Sequence, residues 1–440
     1  MDEFFEKAPV KEVYFKLALP VVFSMIIGMV YSLADTYFVA KTGNTNLVAG
    51  ITVGAPLFTF MIAVGDIFGL GGSALISRLF GAKEYAKSRQ VSAFSFYSAI
   101  VVSLVLTAIL LMLQNPMLQL LGAKSDTLPY ARAFYQMLVL GSVFITVSLV
   151  PSNMVRTEGL AMESMLATLA GTILMIILDP VFLFIFKWGS FGVALANVLG
   201  YAVNTGILVY VTVKKSRYLT LNPKEAKVKP DEIKAILAIG IPASVTNFMQ
   251  TFSMALLNNA LVIYGTDKVA AMGITQKVYS IVVLVLVGFA FGAQPLIGYN
   301  YGAKNAPRFH EVLRYDFKVE VVYALIASVI LMALASPVVK LFMNNAQIIA
   351  DGSYMLRACL ITTPFIGAIL VFTTVFQSAG MGLPALAMAL LRQGVAYLAA
   401  MFVMQRLFGY HGVVLAQPVA DFITFMLGML IYRHNFKDFR

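Results

Sequence analysis

Long apolar stretches, separated by short clusters of charged and polar residues, recur along the whole chain and set the architecture it predicts. A window of about 20 residues, the length an α-helix needs to cross a hydrocarbon core, picks out twelve such stretches. Their limits are 14–40, 47–72, 92–113, 129–153, 164–186, 191–213, 236–264, 269–293, 317–342, 350–377, 384–405 and 411–432. Most connections are short. The longest, from Lys214 to Lys234, carries Lys214, Lys215, Arg217, Lys224, Lys227, Lys229 and Lys234. The pattern predicts an all-α polytopic membrane protein.

Composition agrees with the pattern. Hydrophobic residues make up 60% of the chain and charged ones only 12%, with a mean hydropathy of +0.84, whereas a soluble domain carries about a quarter charged residues. The net charge of +11 does not point to nucleic acid, because no basic patch is interleaved with aromatics and no soluble segment is long enough to carry one. It follows the positive-inside rule instead. Of 32 Lys and Arg, only Lys41, Lys124, Lys187, Lys268, Lys340 and Arg406 fall on one side of the predicted topology. Arg132, Lys277, Arg357 and Arg392 fall within or at the edge of spans, and the rest share the side of both termini and the central connection. Both termini are therefore expected in the cytoplasm. No cleavable signal peptide is expected, since the charged MDEFFEKAPVKEVYFK runs straight into a full-length span. The one cysteine, Cys359, and the separated His310, His411 and His434 offer neither a disulfide framework nor a metal centre.

The chain repeats itself. Pro20 corresponds to Pro242, GLGGSALISRLFGAK to FGAQPLIGYNYGAK, Gly159 to Gly380 and GVALAN at 192 to GVVLAQ at 412, always about 220 positions apart, the mark of two homologous halves. Six helices per half give both halves the same orientation, related by a pseudo-twofold axis along the membrane normal. The expected organisation is a six-helix bundle over 1–213, a basic linker over 214–235 and a second six-helix bundle over 236–440.

Two carboxylates stand out. Asp35 and Asp179 are each the sole ionisable residue of their stretch, from Leu17 to Ala40 and from Ser164 to Phe186. A carboxylate at membrane depth costs several kcal/mol unless it is neutralised or faces a cavity, so each is a candidate ion-coupling group. Tyr31 lies one turn before Asp35 on the same face. Pro180 follows Asp179 and cannot donate to the carbonyl of Ile176, which leaves an acceptor beside the carboxylate. The second-half positions matching the two aspartates, near Leu257 and at Ala399 or Ala400, are apolar. Packing shared by both halves thus does not require them, and an asymmetric site in the first half is expected. Asn153 and Asn197 are candidate partners for an ion, with Tyr135 and Tyr201 nearby at membrane depth. In the second half Asn258 and Gln276, with Asn247, Gln250, Asn259, Lys277 and Gln377, are candidate cavity linings. Asp421, aligned with Tyr201, is a further candidate, with Arg392 expected either to pair with it or to cap a cytoplasmic helix end; Asp66 also lies within an apolar segment. Arg132 and Arg357 read as snorkelling anchors. The 23 Met and 33 Phe suit both lipid-facing bulk and a cavity tolerant of lipophilic cations.

LADTYFVAKTG, FGLGGSALISRLFGA, NMVRTEG and LDPVFLF in the first half, with FGAQPLIGYNYGAK and LLRQGVAYL in the second, resemble the multidrug and toxic compound extrusion (MATE) family over the whole chain, most closely its MepA-like bacterial branch. The resemblance implies a twelve-helix fold of two bundles and antiport of drug against Na⁺ or H⁺. It maps the ion site onto Asp35, Tyr31, Tyr135, Asn153, Asp179 and Asn197. One position departs: where relatives commonly carry asparagine, MIILDP places Met175, a thioether poorly suited to a hard cation such as Na⁺. This turns the expectation toward protons while leaving a sodium ion at Asp35 and Asp179 as the alternative.

The expected function is secondary export of lipophilic, often cationic compounds in exchange for H⁺ or Na⁺ by alternating access, with no further cofactor. The protein is expected in a bacterial inner membrane, as a monomer among lipids. A flippase for lipid-linked oligosaccharide is the alternative, disfavoured because few cations lie within the spans to meet a pyrophosphate. An enzyme would need a catalytic constellation at one membrane face, and the sequence offers none.

Overall fold

The computed structural model describes residues 2–437 and 439. The membrane-length helices, numbered here in chain order, are α1 (Val10–Lys41), α2 (Thr45–Gly81), α3 (Tyr85–Met112), α4 (Leu128–Leu140 with Ser142–Thr157) and α5 (Ala161–Pro180, continued by a π-helical turn over Val181–Ile185). They continue with α6 (Gly189–Lys214), α7 (Pro230–Val262), α8 (Thr266–Gly302), α9 (Ala306–Ala333, followed by Ala335–Phe342) and α10 (Ala346–Ile361 with Thr363–Ser378). The last helical stretch, Gly382–Phe436, is 55 residues long. At about 1.5 Å per residue it is far longer than one crossing, and Gly409 breaks it with φ 55° and ψ −126°. It therefore counts as α11 (382–408) and α12 (410–436). Eight segments are long and apolar enough to cross alone. Three more are pairs bent by 47°, 71° and 46° in α4, α9 and α10. With the Gly409 break, the twelve predicted spans are all present among the described residues.

The punctuation of the backbone repeats as the sequence does. Positive φ recurs at Gly43 and Gly265, at Lys83 and Lys304, at Gly159 and Gly380, and at Lys187 and Gly409, each pair separated by about 220 positions. The same spacing relates the breaks at Gly141 in α4 and Thr362 in α10. Helix starts are fixed locally: Asn44 accepts from the amide of Leu47 at 3.1 Å and Asn305 from that of Arg308 at 3.2 Å, each filling an orphan donor of the first turn. Large apolar side chains such as Val101, Leu104, Val105 and Ile109 of α3 point outward, where hydrocarbon rather than water receives them, and the buried interior holds many Ser and Thr hydroxyls bonded to carbonyls one turn back.

The chain forms two compact units, Phe23–Ser244 and Asp2–Val22 together with Val245–Arg440. The boundaries expected at 213 and 236 are thus displaced into the helices: α1 begins in the second unit and α7 begins in the first. Glycine is the physical reason. In the first unit Gly71 of α2 lies against the backbone of Ile236, and Gly240 of α7 lies against that of Ile67. In the second, Gly288 and Gly292 of α8 lie against Val22 and Ala18. Only residues without a Cβ let these backbones touch.

The basic connection is a strap held down on the first unit. Glu158 accepts from the amides of Arg217 and Tyr218 at 2.7 and 2.9 Å, Ser92 donates to Thr220 and accepts from its amide, and Tyr97 donates to the carbonyl of Leu221 at 2.7 Å. Tyr218 stacks on Tyr85 at 4.5 Å, and Arg89 grips Glu225 with two bonds of 2.9 Å. Those bonds hold the Glu225 carboxyl below its ordinary range. A lowered value means the grip is complete at neutral pH and fades only as pH falls through the depressed value, on the acid side of the ordinary carboxylate range. Arg89→Ala is expected to raise limited tryptic cleavage within 224–229 severalfold at neutral pH, in keeping with the ~1 kcal/mol ceiling of an exposed pair. The parent should show the same rise only on acidification, read with an acid-tolerant protease. Identical cleavage of parent and variant at neutral pH would remove the strap's dependence on this pair.

Candidate functional site

Asp35 comes from the second half of α1, three turns beyond the point where that helix enters the first unit, and Asp179 closes the regular part of α5. Pro180 and the π-helical turn that follows it, in which the amide of Phe186 reaches back to the carbonyl of Val181 at 3.0 Å, widen the helix directly after the carboxylate. Asp179 is wholly buried. The two carboxyl groups lie close enough to act on one another, and Tyr31 close enough to act on Asp179 and Asn197. Asp35 Oδ1, both oxygens of Asp179 and the Tyr31 hydroxyl all lack a hydrogen-bond partner. The groups acting on the pair are each other and Tyr31, with no basic side chain among them.

Asn197 of α6 donates from Nδ2 to the carbonyl of Val193 at 3.1 Å and lies close enough to act on the Tyr31 hydroxyl. Tyr201, one turn on, is close enough to interact with Tyr31 and packs its ring on Phe58 at 5.9 Å. Asp35, Asp179, Tyr31, Asn197 and Tyr201 are therefore brought together by α1, α5 and α6. Met175, one turn before Asp179, lies against Gly200 of α6, where any Cβ would collide with its side chain. The thioether is packing between α5 and α6. Asn204, also on α6, keeps a buried oxygen without a partner; its spacing of seven from Asn197 puts both on one helix face, a signal the sequence carried.

Other expected members stand elsewhere. Tyr135 is wholly buried and donates to the carbonyl of Leu110 on α3 at 2.7 Å. Asn153 donates to the carbonyl of Leu149 at 2.8 Å and accepts from Arg156 at 3.4 Å. It belongs to a different polar patch, which includes Ser152 and Ser164 and in which Asp66 acts on Arg156. Asn258, Gln276 and Asp421 belong to the second unit. Gln276 turns toward Met272 of its own helix at 3.7 Å. Asp421 is saturated, accepting from Arg392 at 3.1 Å, Gln417 at 2.9 Å and Thr362 at 3.4 Å. A buried carboxylate so paired is a structural ion pair, as the sequence suggested for Arg392. Two cavities of ≈ 330 and ≈ 430 Å³, lined around His310 and Tyr432 and around Phe94 and Ile233, do not include the aspartates.

As a sodium site, the assembled set offers two carboxylates, the oxygen of Asn197 and a phenol hydroxyl. Met175 is turned away and Asn153 belongs to another patch, so the donors from α4 that would help complete a shell for a hard cation are not assembled here. The set needs less to hold a proton: one shared between two adjacent carboxyls removes both the repulsion and much of the burial cost.

Comparison with known proteins agrees with this architecture. The chain is 28% identical over 428 residues to the multidrug export protein MepA of Staphylococcus saprophyticus, covering 97% of this chain and 94% of that protein. It is 29% identical over 429 residues to MepA of Staphylococcus aureus strain NCTC 8325. Its fold matches a MATE crystal structure in the straight conformation with a TM-score of 0.94 at 22% identity, covering 99% of this chain and 98% of the other. An outward-facing multidrug resistance MATE transporter of the MOP superfamily matches with a TM-score of 0.93 at 22% identity, covering 100% and 98%. The MatE family pattern matches twice, over residues 20–181 and 242–402, one copy in each repeat, and the chain belongs to the MatE family.

Proposed function

We propose that this protein is a secondary multidrug exporter of a bacterial inner membrane, with both termini cytoplasmic, which exchanges lipophilic, often cationic compounds for protons. The observation that carries the reading is the pair Asp35 and Asp179: two adjacent carboxyls at membrane depth, Asp179 wholly buried and Asp35 half-buried, held by helices of one unit, with unfilled acceptors and, among the described residues, no basic partner. Such a pair is stable only when a positive charge joins it. Binding that charge from one side and releasing it to the other makes the pair a coupling element, provided the carrier changes state between the two events. The names of the MepA relatives supply the substrate class, and the packing of Met175 on Gly200 supports the proton over sodium.

Purified protein in liposomes, loaded with a fluorescent lipophilic cation, separates the ions. A pH gradient imposed alone is expected to drive transport well above that of empty liposomes, and a Na⁺ gradient alone is expected to leave it at the empty-liposome level. Transport under the Na⁺ gradient only would replace the proton with sodium, and transport under neither would remove antiport itself.

A further inference from the structure

A second carboxylate pair lies in the unit formed by Asp2–Val22 and Val245–Arg440, apart from everything used above. Asp316 and Glu320 stand one turn apart on the same face of α9, and both are 0% exposed. Tyr14, also wholly buried on the first half of α1, donates its hydroxyl to Asp316 Oδ1 at 2.8 Å. No further hydrogen bond satisfies the pair: Asp316 Oδ2 and both oxygens of Glu320 are buried without a partner.

Among the described residues no counter-charge is bonded to the pair: Arg308 of α9, two turns before Asp316, donates to the carbonyl of Ala8 and pairs with Glu311. Arg314 and Lys318 of α9 are exposed, and Lys16 of α1 turns to the ring of Phe4 at 4.9 Å. On α8, Tyr279 faces Arg392 and Asp421 and Tyr299 bonds Glu6, while Ala290 meets Glu320 with backbone alone. On α10, Asp351 is paired with Lys268 at 2.6 Å, Arg357 donates to the carbonyl of Met332, and the stretch Thr363–Ser378 has no ionisable residue. The titratable groups acting on the two carboxyls are thus each other, Tyr14 and, from α9 itself, Tyr323. Space is also short. A Cβ on Gly367 of α10 would stand 3.2 Å from Glu320, and α8 closes on α1 at Gly288 and Gly292.

Two neighbouring carboxylates in so dry a place repel one another and cannot both stay charged unpaired. The missing positive charge must be small enough for a site this tightly walled. We propose that Asp316 and Glu320 form a second proton-binding site, a carboxyl pair sharing one proton, with Tyr14 as its positioning residue. The proposal is independent of the role given to Asp35 and Asp179.

Infrared difference spectroscopy of the full-length protein in nanodiscs, between acidic and alkaline buffer, tests it on a background of Asp35→Asn with Asp179→Asn, which silences the first pair. A protonated-carboxyl band is expected to remain on that background and to disappear when Asp316→Asn and Glu320→Gln are added. If the added substitutions prevent folding, Tyr14→Phe decides in their place. Without the hydroxyl that donates to Asp316 the band should shift in frequency. A band untouched by all three substitutions overturns the proposal. So does a band that appears only when sodium and potassium are replaced by choline, because a metal cation would then be the neutralising charge.

Discussion

Asp179→Asn is expected to reduce gradient-driven export at least tenfold, to the level of empty liposomes, while the protein still inserts and elutes as a folded species. Asparagine keeps the size and most of the polarity of the carboxyl but cannot take up or give back a positive charge at membrane depth. Asp35→Asn is expected to do the same, because the two carboxyls act on one another and each depends on the other for its occupancy. Drug binding in the absence of a gradient should survive both changes, which separates loss of coupling from loss of the substrate cavity. Asn153→Ala is the contrasting variant. Its amide serves Leu149 and Arg156 rather than the pair, so more than half of the transport should remain. Parent-like transport by Asp35→Asn and Asp179→Asn would end the coupling assignment.

Gly240→Val is expected to prevent stable folding, and Gly292→Val to do nearly the same. A Cβ on Gly240 would collide with the carbonyl group of Ile67, and one on Gly292 with the backbone of Ala18. These neighbours are main chain within long helices, so no rotamer change can relieve them. Overpacking against side chains costs about 1–3 kcal/mol, and here the cost should lie at or above the upper end. Gly206→Ala is the control, with nothing within 4 Å of the added carbon, and should gain slightly from a better helix former. Expression and melting in detergent read the difference. A Gly240→Val protein that melts with the parent would mean the start of α7 is not held against α2 as described.

Much of the site was legible residue by residue. The isolated carboxylates Asp35 and Asp179, Tyr31 one turn from Asp35, and Asn197 are all drawn together, because a single charge in an apolar run announces itself without knowledge of the fold. Tyr135 and Asn153 were polar at membrane depth too, but the sequence does not tell which face of α4 meets which neighbour. Their hydroxyl and amide turn out to serve nearby carbonyls and Arg156. Asp316 and Glu320 do not stand out in the sequence for a related reason. They lie among Arg314, Lys318 and Tyr315, where a carboxylate reads as part of a charged helix end, and only the closure of α1 and α10 over that face removes them from water.

The sequence by itself determined the number of crossings, the twofold repeat and the identity of the costly charges. Hydrocarbon thickness, backbone hydrogen bonding and the energy of a buried charge are local constraints, and each leaves its mark within one helix length. Tertiary structure decided where the units divide, which of the polar side chains meet, and which carboxylates are paired. Those depend on glycine contacts between helices far apart in the chain, at Gly71, Gly240, Gly288 and Gly292. It also paired Asp421 with Arg392, whereas among the described residues no basic side chain acts on the aspartates of α1 and α5.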